Sequence, residues 1–175
     1  MNAKSVMGLV VCAAMVGSAQ PVAAQFTVGH TDVGFTIGLG NVGSANLAVG
    51  GRLGHGLKPL PELGSGILGL EFSADFYSWS GNGYSWTYVP VGATADYHFK
   101  LANAKVDPFL GLGLGFRIIS CTDPGSGANL CSNSALYFIG RAGGRYFFKP
   151  STALYADLGS GAATLNVGLM FTVND

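Results

Sequence analysis

The chain has 175 residues, a length suited to one domain with a full core. Its formal net charge is zero, which excludes the electrostatic footprint of a nucleic-acid binder. Only 10% of the residues are charged and 28 are glycine, far from the composition of a water-soluble domain, so something other than surface charge must keep the chain from aggregating.

Residues 1–24 read as a secretory signal peptide. Lys4 supplies the positive start, "VMGLVVCAAMV" the short apolar centre, and "VAA" ahead of Gln25 the small-residue cleavage site. The apolar centre is too short for a membrane helix, and Gly17, Ser18, Gln20 and Pro21 follow it at once. Cys12 follows Val11 rather than a small residue, which argues against a lipoprotein box. The mature domain is therefore expected over residues 25–175.

From there the chain alternates with period two. "DVGFTIGL" sets Val33, Phe35, Ile37 and Leu39 against Asp32, Gly34, Thr36 and Gly38. Its end carries Gly38, Gly40 and Gly43 in the GxGxxG spacing of a dinucleotide site. That site needs a helix after the last glycine, whereas "SANLAVGGRLGHG" is too rich in glycine to form one. The spacing is coincidental, and Gly43 belongs to a hairpin loop.

The next runs repeat the pattern. Leu47, Val49, Leu53 and Leu57 alternate with Ala48, Gly50, Arg52 and Gly54; Leu68, Leu70, Phe72, Ala74 and Phe76 with Glu71, Ser73, Asp75 and Tyr77. Val89, Val91, Ala93, Ala95, Tyr97 and Phe99 oppose Tyr88, Pro90, Gly92, Thr94, Asp96 and His98. In the second half, Leu110, Leu112, Leu114, Phe116 and Ile118 oppose Gly111, Gly113, Gly115 and Arg117. Leu136, Phe138, Ala142, Tyr146 and Phe148 oppose Tyr137, Arg141, Gly143 and Arg145. "TALYADL" and "TLNVGLMFTV" complete the series, with Tyr155, Asp157 and Asn166 on the polar side. Connectors at 41–46, 78–86, 120–134 and 159–163 are expected at one end, and the short turns "KPLPELGSG", "LANAKVD" and "KPS" at the other. Eight antiparallel strands in hairpin order close most simply into an all-β up-and-down barrel.

Parity does not say which face points inward; the residues on the polar face do. A soluble carrier barrel would place many Lys and Glu residues there, but that face is mostly Gly, Ala, Ser and Thr. Turned inward, it places Arg52, Arg117, Arg141 and Arg145 among Glu71, Asp75, Asp96 and Asp157, a charge network able to fill a narrow lumen with Arg-acid pairs. Runs of about nine to eleven residues suit strands that cross a bilayer at a tilt. Aromatic girdles are expected from Trp79, Tyr84 and Trp86 at one rim and from Tyr97, Phe99, Tyr146, Phe148 and Phe171 at the other.

Cys121 and Cys131 bracket "TDPGSGANL", which is turn chemistry throughout. In an exported chain the simplest expectation is a disulfide worth roughly 2 to 3 kcal/mol. A metal site would need more ligands than the neighbouring Asp123. The histidines His30, His55 and His98 lack the His-x-Ser pattern of a lipid-cleaving barrel, so no catalytic residue, cofactor or metal is expected.

The leader, the alternating strands, the interior charges and the last run together resemble the small outer-membrane β-barrels of Gram-negative bacteria, of the OmpA transmembrane-domain and OmpX type. Within that last run, Asn166, Gly168, Phe171 and Val173 are similar to the terminal assembly signal of such proteins. The resemblance implies an outer-membrane location, contact with lipid and lipopolysaccharide, insertion by the barrel assembly machinery and a monomeric state. It further implies a structural or surface-interaction role, with a possible surface ligand held by the loops and no further domain after the last strand. A narrow gated channel is the alternative, and a soluble exported lipocalin-like carrier the third reading.

Overall fold

The computed structural model describes residues 26–81, 83–122 and 125–174. The expected signal peptide and Asp123 lie outside them.

Every alternating run becomes a strand. β1 (Thr31–Leu39), β2 (Ala48–Pro59), β3 (Ile67–Gly81), β4 (Tyr84–His98), β5 (Val106–Thr122), β6 (Asn129–Lys149), β7 (Thr152–Ser160) and β8 (Leu165–Asn174) follow in order around a closed barrel. All neighbours are antiparallel, and β1 closes the ring against β8, with Val33 opposite Phe171 and Ile37 opposite Val167. Closure removes the sheet edges that a meander of this length would otherwise expose. Among the described residues no helix is long and apolar enough to cross a membrane.

The barrel is inside out relative to a soluble one. Leu112 is 75% exposed and Phe138 79%, on the outer face, whereas Asp32, Glu71, Asp96 and Arg145 are buried within. Glycine makes room for the buried heads: a side chain at Gly50 would start 1.9 Å from Asp75 Oδ1, and one at Gly111 2.1 Å from Asp96 Oδ1. Larger residues at these points would overfill an interior only wide enough for its own side chains.

Two of the expected connectors are corrected by the structure. Most of 78–86 and of 120–134 is paired strand, because β3 and β4 run to a tight turn and β5 and β6 continue with Ser120 opposite Ser132 and Cys121 opposite Cys131. Their Gly, Ser and Asn content suggested loops, but cross-strand pairing overrides that weak local preference. β3 to β6 therefore have 15, 15, 17 and 21 residues, against 9 for β1 and β7 and 10 for β8. They rise as a four-stranded wall above the ring. Pairing of β2 with β3 stops at Val49 opposite Phe76, and pairing of β6 with β7 at Gly140 opposite Ser160. Among the described residues, no strand pairs with either side of the wall above those points.

A second correction concerns the rim. Trp79 and Trp86 face inward with Tyr77 and Tyr88 rather than outward toward lipid, because they share parity with Glu71 and Thr94 on their strands. The rings stack, with centroids 5.0 Å apart for Tyr77 and Tyr88, 4.8 Å for Trp79 and Tyr88 and 6.4 Å for the two tryptophans. Val42 from the β1–β2 loop, Ala48 and Ala163 pack against this stack and close the loop end of the lumen. At the turn end, Phe99, Phe148 and Phe171 do lie outward and exposed. Tyr97 has a further task there: its hydroxyl donates to Leu63 O at 2.9 Å and accepts from Gly66 N–H at 3.0 Å, which fixes the β2–β3 turn.

Candidate functional site: the charged lumen

Midway through the barrel, Glu71 stands at the meeting point of three guanidinium groups. Arg141 Nη1 donates to its Oε1 at 2.6 Å, Arg52 Nε lies 3.7 Å from the same oxygen, and Arg145 Nη2 lies 3.6 Å from Oε2. Each arginine then reaches a second carboxylate. Arg52 Nη1 donates to Asp75 Oδ1 at 2.9 Å, Arg145 Nη1 to Asp32 Oδ2 at 2.6 Å, and Arg141 Nη2 to Asp96 Oδ2 at 2.7 Å and to the Thr94 hydroxyl. Tyr155 crosses the middle, its hydroxyl accepting from Arg141 Nη1 at 3.3 Å and donating to Asp157 Oδ2 at 2.5 Å. Asn166 Nδ2 donates to the other Asp157 oxygen at 2.9 Å. Charge-assisted bonds of this kind are what buried ions need in order to repay their lost hydration.

Seven of the eight residues expected in the network meet here or line its edge: Arg52, Glu71, Asp75, Asp96, Arg141, Arg145 and Asp157 are all buried. Arg117 does not join them. It stands higher, in the wall, half-buried with its guanidinium 5.1 Å from the centre of the Tyr137 ring, and among the described residues it makes no ion pair. Its place on β5 explains this, because it lies opposite Pro90, beyond the level where the barrel is closed by β7 and β8.

Sequence reasoning left out Asp32 and Asp107, both buried in the lumen. The signal for Asp32 was present, since it alternates with Val33 in the first run. Asp107 was assigned to the turn "LANAKVD", yet the parity of Gly111 carried back through Phe109 points it inward. The consequence is an imbalance. Among the described buried residues three arginines, Arg52, Arg141 and Arg145, face six carboxylates, Asp32, Glu71, Asp75, Asp96, Asp107 and Asp157. Two histidines adjoin the surplus: His98 Nδ1 is 2.9 Å from Asp107 Oδ2, and His30 Nε2 is 3.5 Å from Asp32 Oδ2.

The lumen is filled. Between Arg52, Asp75, Asp157 and Asn166 a cavity of 20 Å³ remains, and a second of 60 Å³ lies at the turn end beside Phe26, His98 and Asp107. The first holds about one water molecule, since a single water needs roughly 10 to 15 Å³ on this measure. Among the described residues no group of three or more His, Cys, Asp or Glu is arranged to hold a metal ion.

In the last strand, Asn166 faces the lumen and Phe171 and Val173 face outward. Gly168 allows close strand contact, since a side chain there would start 1.9 Å from Phe35 O.

No protein-family model and no curated protein matches the sequence. Solved structures do match. Ail, the attachment invasion locus protein of Yersinia pestis, is 15% identical with a TM-score of 0.52, covering 83% of this chain and 96% of its own. Ail in complex with the heparin analogue sucrose octasulfate matches at 14% identity and a TM-score of 0.51, over 82% of this chain and 93% of that one. The N-terminal β-barrel domain of Pseudomonas aeruginosa OprF is 14% identical with a TM-score of 0.52, over 83% of this chain and 98% of the domain. A designed transmembrane β-barrel gives 16% identity and a TM-score of 0.52, over 84% and 98%. What is shared is the fold, that of the small outer-membrane barrels.

Proposed function

We propose that the chain is an integral outer-membrane barrel with a structural or surface-interaction role, its lumen sealed rather than conducting. The observation that carries this reading is the inverted patterning: an apolar outer belt around an interior of ion-paired heads, with room for about one water among Arg52, Asp75, Asp157 and Asn166. The fold shared with Ail and the OprF barrel supports the location. In this reading the outer face meets lipid and lipopolysaccharide, the protein is a monomer, and Asn166, Gly168, Phe171 and Val173 present the last strand to the barrel assembly machinery. Nothing in the lumen acts as a catalyst.

The surface role falls to the wall. Its open edges on β3 and β6 offer unpaired backbone groups, the chemistry of strand addition. Cys121 and Cys131, directly opposite on β5 and β6, would brace its tip as a disulfide. Because Ail was solved with a heparin analogue, an anionic saccharide is the first ligand to try, with Arg117 as the wall's candidate cation.

A narrow gated channel is the second reading, favoured by the excess of carboxylates, which would select cations. Planar-bilayer recordings distinguish the two. The sealed reading expects silence from the wild type and from Arg141→Ala; unitary currents from the wild type would establish the channel instead.

A further inference from the structure

The turn-end mouth of the barrel is occupied by the chain's own segment ahead of β1. Thr27 to His30 make a tight turn, with His30 N–H donating to Thr27 O at 3.2 Å and Gly29 at a φ of 85°, a conformation that favours glycine. The turn is fastened to β2: Gly29 N–H donates to Gly56 O at 2.9 Å, and Gly56 N–H to His30 O at 2.8 Å. It sends the chain back on itself, so that Phe26 enters the lumen and is only 4% exposed.

The seat for this segment is built into the neighbouring strands. A side chain at Gly56 would start 2.0 Å from Thr27 O, and one at Gly69 would start 2.8 Å from Phe26 Cε1. Both positions face the lumen, and both are bare where the segment lies. The walls of the seat are equally specific. The Phe26 ring stacks on His98 with centroids 3.9 Å apart at 22°, and Arg145 Cζ lies 4.7 Å from its centre on a cation–π contact. His30 stands 5.1 Å away. Beneath the ring lie the Arg145–Asp32 ion pair and the His98–Asp107 hydrogen bond.

We propose that residues 26–30 form a cork for the turn-end mouth, with the Phe26 ring as its stopper, and that its seating restricts access from bulk solvent to His98 and to the Arg145–Asp32 pair, leaving beside it the 60 Å³ cavity lined by Phe26, His98 and Asp107. This adds a stopper to the sealed-lumen reading. On the sequence expectation that the leader ends at Ala24, Phe26 is the second residue of the mature chain, and the cork lies at its N-terminus. An apolar ring does this better than a polar one because it excludes water while its π-face still satisfies a guanidinium.

The test is histidine modification by diethyl pyrocarbonate on the folded mature protein in detergent, mapped by mass spectrometry and referenced to the urea-unfolded chain. In the wild type His98 should react at least about tenfold more slowly than when unfolded, as a site reached only by local opening does. Phe26→Ala should remove most of that protection while the unheated gel band stays compact, and Phe26→Tyr should retain it. Gly69→Leu, which keeps Phe26 but fills its seat, should expose His98 in the same way and serves if Phe26→Ala does not fold. A His98 as reactive in the folded wild type as in the unfolded chain would overturn the cork, as would full protection in folded Phe26→Ala or Gly69→Leu. Currents from the wild type in bilayers would instead count against the sealed lumen, so the two failures are told apart.

Discussion

The closed ring and the wall above it are built on the same four strands, yet their inward-facing residues differ in kind. In the ring, β3 to β6 turn Glu71, Asp75, Thr94, Asp96, Arg141 and Arg145 inward. In the wall the same parity turns in Tyr77, Trp79, Tyr88, Trp86, Arg117 and Tyr137. Where β1, β2, β7 and β8 complete the circle, bare glycines alternate with charged heads that pair across the lumen. Where those strands end, the inner face opens, and aromatic rings cover each other along the hairpin instead. One alternation rule thus yields a charged interior below and an aromatic inner face above.

The largest effect should come from the centre of the ring. Glu71→Ala leaves three guanidinium groups without their shared carboxylate and should cost about 3 to 5 kcal/mol in urea unfolding from lipid vesicles. A cost no greater than that of Trp86→Ala would erase the distinction between the two regions.

Next comes the outer face. Leu112→Arg, at the most exposed leucine of β5, should cost roughly 2 to 4 kcal/mol in the same assay, and Ile118→Arg, further along β5 in the wall, about 0 to 1 kcal/mol. Equal costs would mean that the bilayer does not divide the strand as described.

Glycine substitutions sharpen the comparison further. Gly111→Val would drive a methyl group into Asp96 and should cost about 1 to 3 kcal/mol. Gly81→Ala, near the β3–β4 turn with nothing within 4 Å, should stay within about 0.5 kcal/mol. Trp86→Ala removes one ring from a stack and should cost about 0.5 to 1.5 kcal/mol, read from the same unfolding curves.

The strands and the sense of the barrel were legible in the sequence because a period of two survives any tertiary context, and because Arg52, Glu71, Arg141 and Arg145 all fall on one parity. The height of the wall was not. Residues such as Ser78, Gly81, Ser120 and Ser134 carry turn chemistry, and only pairing with a facing strand makes them extended. The tryptophans were misplaced against their own parity, since an aromatic near a strand end suits a lipid girdle as well as an inner stack until the closing strands are known. Asp107 was hidden at the end of "LANAKVD", just ahead of the residues whose alternation reads as a strand. The cork left no periodic trace at all: Phe26 and His98 are far apart in the chain and meet only because Gly56 and Gly69 leave a seat between them.

The claim on which all of this depends is that the apolar face looks outward into a bilayer. Fractionation of expressing cells tests it most directly. The account predicts that the protein stays in the outer-membrane fraction through salt and carbonate washes, and that after detergent extraction its unheated form migrates faster on gels than its boiled form. Recovery of the folded protein in the soluble periplasmic fraction without detergent would contradict it.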